Sequence, residues 1–229
     1  MAILAGGLAT RLRPLTDEVP KSLVEVAGRP FVEHQLHLLR RHGFTDVALC
    51  VGHLGAQIER TLGDGSRFGV RLAYVDDGPE LLGTGGALRR ALPHLGDAFL
   101  VMYGDSYLDC DYESVASAFL SSGKLGLMTV FHNENRWERS NVRFEDGKIR
   151  AYDKDAADAS LRHVDYGLGA LRADALKRYP AGEKLDLAQV YRDLLAEDQL
   201  AAYEVRERFY EIGSFSGLAD VRLKLATRK

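Results

Sequence analysis

The segment from Leu4 to Leu23 reads LAGGLATRLRPLTDEVPKSL, and it predicts an anion-binding loop at the end of a short strand. Gly6 and Gly7 lack a Cβ atom, so their backbone N–H groups can approach an anion closely and can adopt positive φ angles. Forked guanidinium groups and a mobile ammonium group follow, and they suit phosphate oxygens. These cationic side chains are Arg11, Arg13 and Lys21. A Gly-Gly pair alone is also typical of a solvated turn with a basic rim, but the combined spacing favours a site for several phosphate groups.

Two other phosphate-binding motifs are excluded. No stretch of the chain matches G-x-x-x-x-G-K-[ST], which argues against a Walker A nucleotide hydrolase or kinase. A dinucleotide fingerprint is also missing after the first strand, because Gly6 and Gly7 are adjacent. Further along, Gly167 and Gly169 are followed by Arg172 where a third glycine belongs. Dinucleotide binding is therefore a poor interpretation.

Composition limits the function classes. With 229 residues, 46% of them hydrophobic, the chain suits one α/β domain with a sizeable core. A net charge of −3 argues against broad binding to nucleic acid or to an anionic membrane. Two cysteines, Cys50 and Cys110, allow no disulfide framework or cysteine metal site. No leader and no apolar run of membrane-spanning length is evident, so we expect a cytoplasmic protein.

The first half of the chain alternates strands and helices. Strands are predicted at residues 2–5, 46–51, 71–75 and 98–103, and helices at 30–42, 55–62, 84–92 and 112–120. Thr84 is predicted to cap the third of these helices. Helices between strands imply parallel pairing and a doubly wound sheet, in which ligands bind beyond the carboxyl ends of the strands. Gly6, Gly7 and Asp105 fall at those ends, so two motifs point to one edge of the sheet.

The second half changes character. Strands are predicted at residues 126–131, 141–144, 148–152 and 162–171, and helices at 187–195 and 216–226. A hairpin turn at residues 145–147 joins two of these strands. We therefore expect one compact unit whose second half supplies a substrate lobe.

The segment from Leu4 to Leu23 resembles the signature of the sugar-1-phosphate nucleotidylyltransferases, L-A-G-G-x-(G/A)-T-R-L-x-P-L-T followed by P-K-(S/P)-L. Later motifs stand in that family's order, at Leu82–Leu88, Gly104–Ser106, Asp153–Lys154, Asp165–Gly167 and Glu211–Gly213. The resemblance spans essentially the whole chain. It implies an α/β fold of the nucleotide-diphospho-sugar transferase type, with a doubly wound, mostly parallel, Rossmann-like sheet and a small mixed-sheet lobe. Residues 1–229 would form one domain, with a nucleotide-binding half at about 1–122 and a sugar-binding half with the carboxyl-terminal helix at about 123–229.

The resemblance also implies a reaction, in which a sugar 1-phosphate attacks a nucleoside triphosphate and releases pyrophosphate. Arg11 would hold the pyrophosphate, Lys21 would lie near the α-phosphorus, and Asp105 would complete the catalytic set. Arg13 has a weaker claim, since it can form a salt bridge with Asp17 or Glu18. The implied nucleotide-binding residues are Leu4, Ala5, Gly6, Gly7, Thr10, Arg11, Gly83, Thr84 and Gly85.

The same resemblance implies Mg²⁺ as cofactor, bound by Asp105 and by Glu211 and bridging the nucleotide phosphates. Mg²⁺ takes one or two carboxylates plus phosphate and water, which fits this pair. The family usually has Asp at the position of Glu211. The alternative is that Glu211 is a surface residue beside a turn.

The sugar 1-phosphate would be bound by Asp153, Lys154, Asp165 and Gly167, with Lys154 on its phosphate. Lys154 can also belong to an exposed turn, and Asp165 can cap local backbone instead. Trp137 either lines the sugar pocket or covers an edge of the fold. His34 and His37 share a helix face, but no third metal ligand is near in sequence, so we expect ordinary surface histidines.

The base and the sugar stay open. The segment at residues 62–69 is similar to one in bacterial uridylyltransferases acting on N-acetylmuramate 1-phosphate. The motifs at Asp153–Lys154 and Asp165–Gly167 are more like heptose-1-phosphate guanylyltransferases, and favour GTP with heptose or mannose 1-phosphate. The alternatives are a UTP-dependent enzyme for an N-acetylated amino sugar 1-phosphate, or a non-catalytic regulatory or binding homologue. We expect no nucleic-acid or membrane partner, and the sequence is compatible with a homo-oligomer.

Overall fold

A computed structural model describes residues 1–154 and 158–226. Residues 155–157 and 227–229, which belong to the expected second half, lie outside the described ranges. The strands are β1 (Ala2–Leu4), β2 (Glu25–Val26), β3 (Arg29–Pro30), β4 (Asp46–Val51), β5 (Arg71–Asp76), β6 (Ala98–Tyr103), β7 (Ser106–Tyr107), β8 (Gly126–His132), β9 (Val142–Glu145), β10 (Lys148–Tyr152), β11 (His163–Arg172), β12 (Leu200–Val205) and β13 (Tyr210–Glu211). The helices are α1 (Phe31–Arg41), α2 (Gly55–Leu62), α3 (Gly83–Ala91), α4 (Tyr112–Ser122), α5 (Ala173–Lys177), α6 (Leu187–Ala196) and α7 (Phe215–Ala226). The predicted elements are confirmed, with ends that shift by a residue or two.

The large sheet has the path β10-β9-β11-β6-β1-β4-β5. Strands β6, β1, β4 and β5 are parallel, as expected from the helices between them. Strand β11 continues the sheet antiparallel to β6 and also pairs with β8. The α/β, mostly parallel architecture is therefore confirmed, with the mixed part in the second half of the chain.

Helices cover both faces of the sheet. On one face α1, α2 and α4 bury their apolar stripes in a cluster that includes Ile3 of β1. On the other face α3, α5 and α6 pack in a second cluster that includes Ala2 of β1. Consecutive residues of a strand point to opposite faces, so even this three-residue strand contributes to both clusters. Burial on both sides fixes β1 at the centre, where its carboxyl end can carry a binding loop.

The expected capping role of Thr84 is wrong. Helix α3 begins at Gly83, after Leu82. Thr84 Oγ1 instead accepts a hydrogen bond from Leu187 N at 2.8 Å, at the start of α6. Asp186 caps the same end of α6, accepting from Ala188 N at 2.8 Å. Thr84 therefore links two helices that are distant in sequence, which local capping rules cannot foresee.

Two strands in the second half were not predicted. Strand β12 pairs in parallel with β8. The short strand β13 pairs antiparallel with β7, which places Glu211 opposite Ser106. Backbone pairing extends one step further, because Ile212 N donates to Asp105 O at 2.9 Å. Helix α7 then packs against β2 and α1 through a third apolar cluster, so the carboxyl-terminal segment is tied to the edge where the β1 loop begins.

None of the helices in the described ranges is long and apolar enough to cross a lipid bilayer.

Candidate active site

The carboxyl ends of β1 and β6 meet at one edge of the sheet. Gly104 N donates to Leu4 O at 2.9 Å, and Ala5 N donates to Cys50 O at 2.8 Å. A Cβ atom on Gly104 would lie only 2.6 Å from Leu4 O, so this close approach requires glycine. Asp105 therefore emerges beside the loop that follows β1. The two motifs that the sequence assigned to one edge do lie together.

Two cavities open at this edge, and they adjoin. The apolar cavity, of about 750 Å³, is lined by Leu4, Ala5, Gly6, Gly7, Lys21, Ser22, Cys50, Asp77, Gly83, Thr84, Ala87, Tyr103, Gly104 and Asp105. The polar cavity, of about 940 Å³, is lined by Arg11, Tyr103, Asp105, Ser106, Glu138, Arg139, Asn141, Lys154, Asp165, Tyr166, Gly167, Phe209 and Glu211. Tyr103 and Asp105 belong to both linings. The side chain of Asp105 therefore lies where the two cavities adjoin.

The loop that follows β1 is open to a ligand, as expected of an anion site, but its two glycines do not adopt the positive φ angles that the sequence allowed. The left-handed residue is Ala9, at φ 51°, whereas neither Gly6 nor Gly7 has a positive φ angle. A Cβ atom on Gly7 would meet nothing within 4 Å, so the backbone there is open to a ligand. A Cβ atom on Gly6 would lie 3.3 Å from Gly52 N. Gly6 therefore packs closely against the segment after β4, whereas Gly7 leaves the backbone accessible.

The glycine-rich start of α3 is only partly available to a ligand. Gly83 and Thr84 line the apolar cavity. Gly85 packs behind them, where its N–H donates to Leu185 O at 2.9 Å. A Cβ atom on Gly85 would lie 2.8 Å from Leu185 Cγ. The structure therefore gives Gly85 a packing role, while Gly83 and Thr84 face the cavity.

Lys21 and Asp105 form an ion pair at the mouth of the apolar cavity. Lys21 Nζ lies 2.9 Å from Asp105 Oδ2, and the two side chains are 19% and 27% exposed. Lys21 begins a short 3₁₀ turn after Pro20 and is held close to the sheet edge. The pair brings together two of the three side chains that the resemblance makes catalytic.

The third, Arg11, also lies near Gly213. A Cβ atom on Gly213 would lie 2.8 Å from Arg11 Nη2 and 3.4 Å from Asp105 Oδ2. Arg11 is exposed and lines the polar cavity. Thr10, the residue before Arg11, is exposed and is not among the described residues that line the two cavities. Arg13 pairs with Asp17 at 3.2 Å, which is the structural alternative that the sequence allowed.

Glu211 reaches the same place through the pairing of β13 with β7. Its carboxylate accepts hydrogen bonds from Gly213 N and from Ser214 Oγ, the latter at 2.8 Å. These contacts lie just before α7, so the carboxylate also stabilises the turn into that helix. Glu211 therefore lies beside a turn, as one of the two alternatives from the sequence expects, and its carboxylate also lies near Gly213, as that of Asp105 does. Its role as a metal ligand stays a prediction.

The polar cavity receives three of the four predicted sugar-site residues. Lys154, Asp165 and Gly167 line it. Lys154 Nζ lies 5.6 Å from the ring centroid of Tyr103, at the boundary between the two cavities. Asp153 is exposed, and its N–H donates to Asn141 O at 2.9 Å. Among the described residues its side chain is outside the cavity lining.

Asp165 is held by several donors. Gly167 N donates to Asp165 Oδ1 at 3.0 Å, and Tyr152 Oη donates to Oδ2 at 3.3 Å. Burial raises the pKa of Asp165, and the positive charge of Lys154 opposes that rise. Gly167 has a φ angle of 95°, at an irregularity in the pairing of β11 with β8. The backbone-capping alternative for Asp165 is therefore real, and the same carboxyl group still lines the cavity.

Sequence reasoning missed several residues of the site. Asp77, Glu138, Arg139 and Asn141 line the two cavities but belong to no motif that the sequence analysis used. Asn141 Oδ1 accepts from Asp165 N at 2.9 Å, so it orients a residue that was predicted. An acidic residue directly after a parallel strand was a usable signal for Asp77. Glu138 and Arg139 come from an irregular loop, and nothing local marks them.

The other candidates have structural explanations. His34 Nε2 lies 2.8 Å from Val26 O, and His37 packs edge-on against Phe68 at 5.7 Å between ring centroids. Cys50 is buried, and burial raises the pKa of its thiol to about 12. No group of three or more His, Cys, Asp or Glu side chains that could hold a metal ion occurs in the part of the chain that is described. A metal ion here would therefore depend on phosphate and water for its remaining ligands.

Comparison with known proteins agrees with this geometry. The family model described as nucleotidyl transferase matches residues 1–147. The N-acetylmuramate alpha-1-phosphate uridylyltransferase of Neisseria meningitidis is 30% identical over 224 residues, which cover 96% of this chain and 95% of that protein. The UTP–glucose-1-phosphate uridylyltransferase of Synechocystis is 29% identical over 223 residues, covering 90% of this chain but only 58% of the relative.

Solved structures share the fold. HddC from Yersinia pseudotuberculosis superposes with a TM-score of 0.81 at 22% identity, covering 98% of both chains. A UDP-glucose pyrophosphorylase from Acinetobacter baumanii superposes with a TM-score of 0.83 at 19% identity, covering 99% of this chain and 93% of that one. The chain belongs to the nucleotidyl transferase family.

Proposed function

We propose that this nucleotidyl transferase family member joins a nucleoside triphosphate to a sugar 1-phosphate, giving a nucleoside-diphosphate sugar and pyrophosphate. One observation carries the proposal: the apolar and polar cavities adjoin and share Asp105. An apolar cavity with glycine backbone at its edge suits a base and ribose, and a polar cavity with cationic side chains suits a sugar phosphate. Their junction is where the acceptor phosphate would meet the α-phosphorus.

The chemistry requires positioning and charge neutralisation rather than a protein base, because the attacking phosphate is already ionised. Lys21 lies at the junction and would stabilise negative charge that builds at the α-phosphorus. Arg11 would bind the departing pyrophosphate, as the resemblance implies. Lys154, on the polar side, would hold the phosphate of the acceptor. The three cationic side chains would thus align the attacking phosphate, the α-phosphorus and the departing pyrophosphate for in-line displacement.

A divalent cation fits the two carboxylates at this junction. Asp105 directly precedes β7, Glu211 lies in the paired strand β13, and the carboxylates of both lie near Gly213 and offer oxygen ligands. We propose that they hold Mg²⁺, which when bound would neutralise charge on the nucleotide phosphates. Asp105 would then exchange its contact with Lys21 for the cation, and Lys21 would be released to the phosphates.

Asp77 supports guanine as the base. It is 5% exposed in the apolar cavity, and its Oδ2 accepts from Leu82 N at 3.2 Å. Its Oδ1 is buried and has no hydrogen-bond partner among the described residues. Burial also raises the pKa of Asp77. A buried carboxylate oxygen needs a donor. Guanine offers the adjacent donors N1–H and N2–H, whereas uracil offers N3–H between two carbonyl groups that would repel the carboxylate.

For the acceptor we propose heptose or mannose 1-phosphate. Glu138 and Asp165 supply carboxyl groups to the polar cavity, and such groups accept hydrogen bonds from sugar hydroxyls. Relatives do not decide the question. Mannose-1-phosphate guanyltransferase beta-B of Xenopus laevis is 29% identical over 217 residues. The Neisseria uridylyltransferase favours the alternative, UTP with an N-acetylated amino sugar 1-phosphate.

A pyrophosphate-release assay with four nucleoside triphosphates and a panel of sugar 1-phosphates tests these proposals together. We expect release with GTP and with mannose or a heptose 1-phosphate. Release only with UTP and an N-acetylated sugar would support the alternative substrate pair. Binding of nucleotide without release of pyrophosphate under any pairing would support the non-catalytic homologue instead.

A further inference from the structure

The segment at residues 133–140, here called the cavity loop, joins β8 to β9 and has a shape fixed by its own hydrogen bonds. Asn133 Nδ2 donates to Glu138 O at 2.7 Å, and Ser140 N donates to Asn135 Oδ1 at 2.8 Å. Trp137 N donates to Asn133 Oδ1 at 3.2 Å. A loop bonded to itself in this way is positioned as a unit. Its tilt over the polar cavity then depends on its two ends and on contacts that its side chains make elsewhere.

One such contact is a stack on Arg208. The guanidinium carbon of Arg208 lies 3.3 Å from the ring centroid of Trp137. The same guanidinium carbon lies 4.7 Å from the ring centroid of Tyr210. The guanidinium group also pairs with Asp220 of α7. An arginine that contacts two aromatic rings and is fixed by a carboxylate restrains the position of both rings.

The stack connects the cavity loop to the strand that carries Glu211. Tyr210 precedes Glu211 in β13, and Phe209, between Arg208 and Tyr210, lines the polar cavity. On the loop side, Glu138 follows Trp137 and lines the same cavity. Glu138, Asp105 and Glu211 all line this cavity, and burial and the two nearby carboxylates raise the pKa of Glu138. Arg208 thus lies between the wall formed by the loop and the wall formed by β13.

We infer that Arg208 is a positioning residue for the sugar acceptor, because its stack on Trp137 holds the cavity loop so that Glu138 faces the polar cavity. This inference rests on the proposed function for the identity of the acceptor, but not for the stack itself. Among the described residues, Arg208 lines a separate hollow beside the polar cavity and is not part of the polar cavity's lining. It would therefore act on the sugar only through the loop.

Trp137 is the only tryptophan in the chain, so its fluorescence reports directly on the stack. The test compares Arg208→Gln with Arg206→Gln, a matched change at an exposed arginine two residues earlier. We expect acrylamide to quench Trp137 more strongly in Arg208→Gln than in wild type, and equally in Arg206→Gln. We also expect Arg208→Gln to raise the KM for the sugar 1-phosphate that reacts best in the panel by about 5- to 30-fold, as for a partly desolvated cation–π contact. The KM for the nucleotide should stay unchanged.

Variants of Trp137 separate positioning from general stability. Trp137→Leu should repeat the kinetic effect of Arg208→Gln, and Trp137→Phe should retain most of the activity because it keeps an aromatic face. The double variant Trp137→Leu/Arg208→Gln should have the same KM for the sugar 1-phosphate as either single variant, since each single change already removes the same contact. An equal rise in both KM values, a lower melting temperature with unchanged KM values, or additive effects would overturn the inference. If no substrate pair reacts, the proposed function fails, and unchanged quenching in Arg208→Gln would separately refute the stack.

Discussion

Replacing Asp77 by Asn tests the assignment of the base most directly. The amide has the shape of the carboxylate and can keep the bond from Leu82 N, which is 3.2 Å long. Its NH₂ group would then take the place of Oδ1, the oxygen that lacks a partner among the described residues. One hydrogen bond to a charged acceptor is at stake, and such bonds contribute about 1.5–3 kcal/mol. We therefore expect kcat/KM for GTP to fall by about 10- to 150-fold.

The same change should shift the preference between bases, because an NH₂ donor faces the carbonyl groups of uracil better than the N–H groups of guanine. The assay is pyrophosphate release with GTP and with UTP, at a fixed concentration of the best acceptor. Asp76→Asn is the matched control, since Asp76 is exposed and its Oδ1 accepts from Gly78 N at 2.6 Å, outside the cavity. A ratio of GTP to UTP activity that is the same in Asp77→Asn, Asp76→Asn and wild type would refute the assignment of Asp77 to the base.

Further predictions concern the phosphate groups, the metal and the buried thiol. Arg11→Ala should keep the fold but reduce turnover by roughly 100-fold or more, as for loss of one preorganised charge stabiliser, and near-wild-type turnover would remove Arg11 from the pyrophosphate site. Lys154→Ala should raise the KM for the sugar 1-phosphate far more than that for the nucleotide, and an effect on the nucleotide alone would place Lys154 elsewhere. Chelation of the metal should abolish activity, and Asp105→Asn should be nearly inactive. Glu211→Asp should keep activity, whereas Glu211→Gln should lose most of it. Normal turnover of Glu211→Gln would show that Glu211 has a structural role. Because the pKa of the Cys50 thiol is raised to about 12, maleimide should label it at pH 8 only after unfolding, and rapid labelling of the folded protein would contradict its burial.

The sequence predicted the parallel half of the fold well, because its signals are local. Strand β4 and helix α2 begin and end where their apolar patterns begin and end. The apolar face of α1, with Leu36 at its centre, is buried as its spacing predicts. In each of these elements periodicity and packing agree, so a local pattern is sufficient.

The same reasoning failed where partners are far apart in the chain. Strand β13 has two residues, too short for any periodic signal, and it exists because β7 lies beside it more than a hundred residues earlier. Thr84 looked like a cap for its own helix, yet it bonds to Leu187. Asp77 lines the apolar cavity from the end of β5, and Glu138 lines the polar cavity from within the cavity loop. Such residues become recognisable only when the tertiary structure brings distant segments together.

The Lys21–Asp105 pair explains how charged side chains are stable at the half-buried junction of the two cavities. An isolated lysine or carboxylate at that depth would lose hydration with no compensation. Paired at 2.9 Å, the two groups compensate each other. Because both side chains are still partly exposed, the ion pair contributes little net free energy, and each partner can exchange the other for a substrate group. Under the proposed function, the same ion pair stabilises the junction and leaves the lysine available to phosphate and the carboxylate available to a cation.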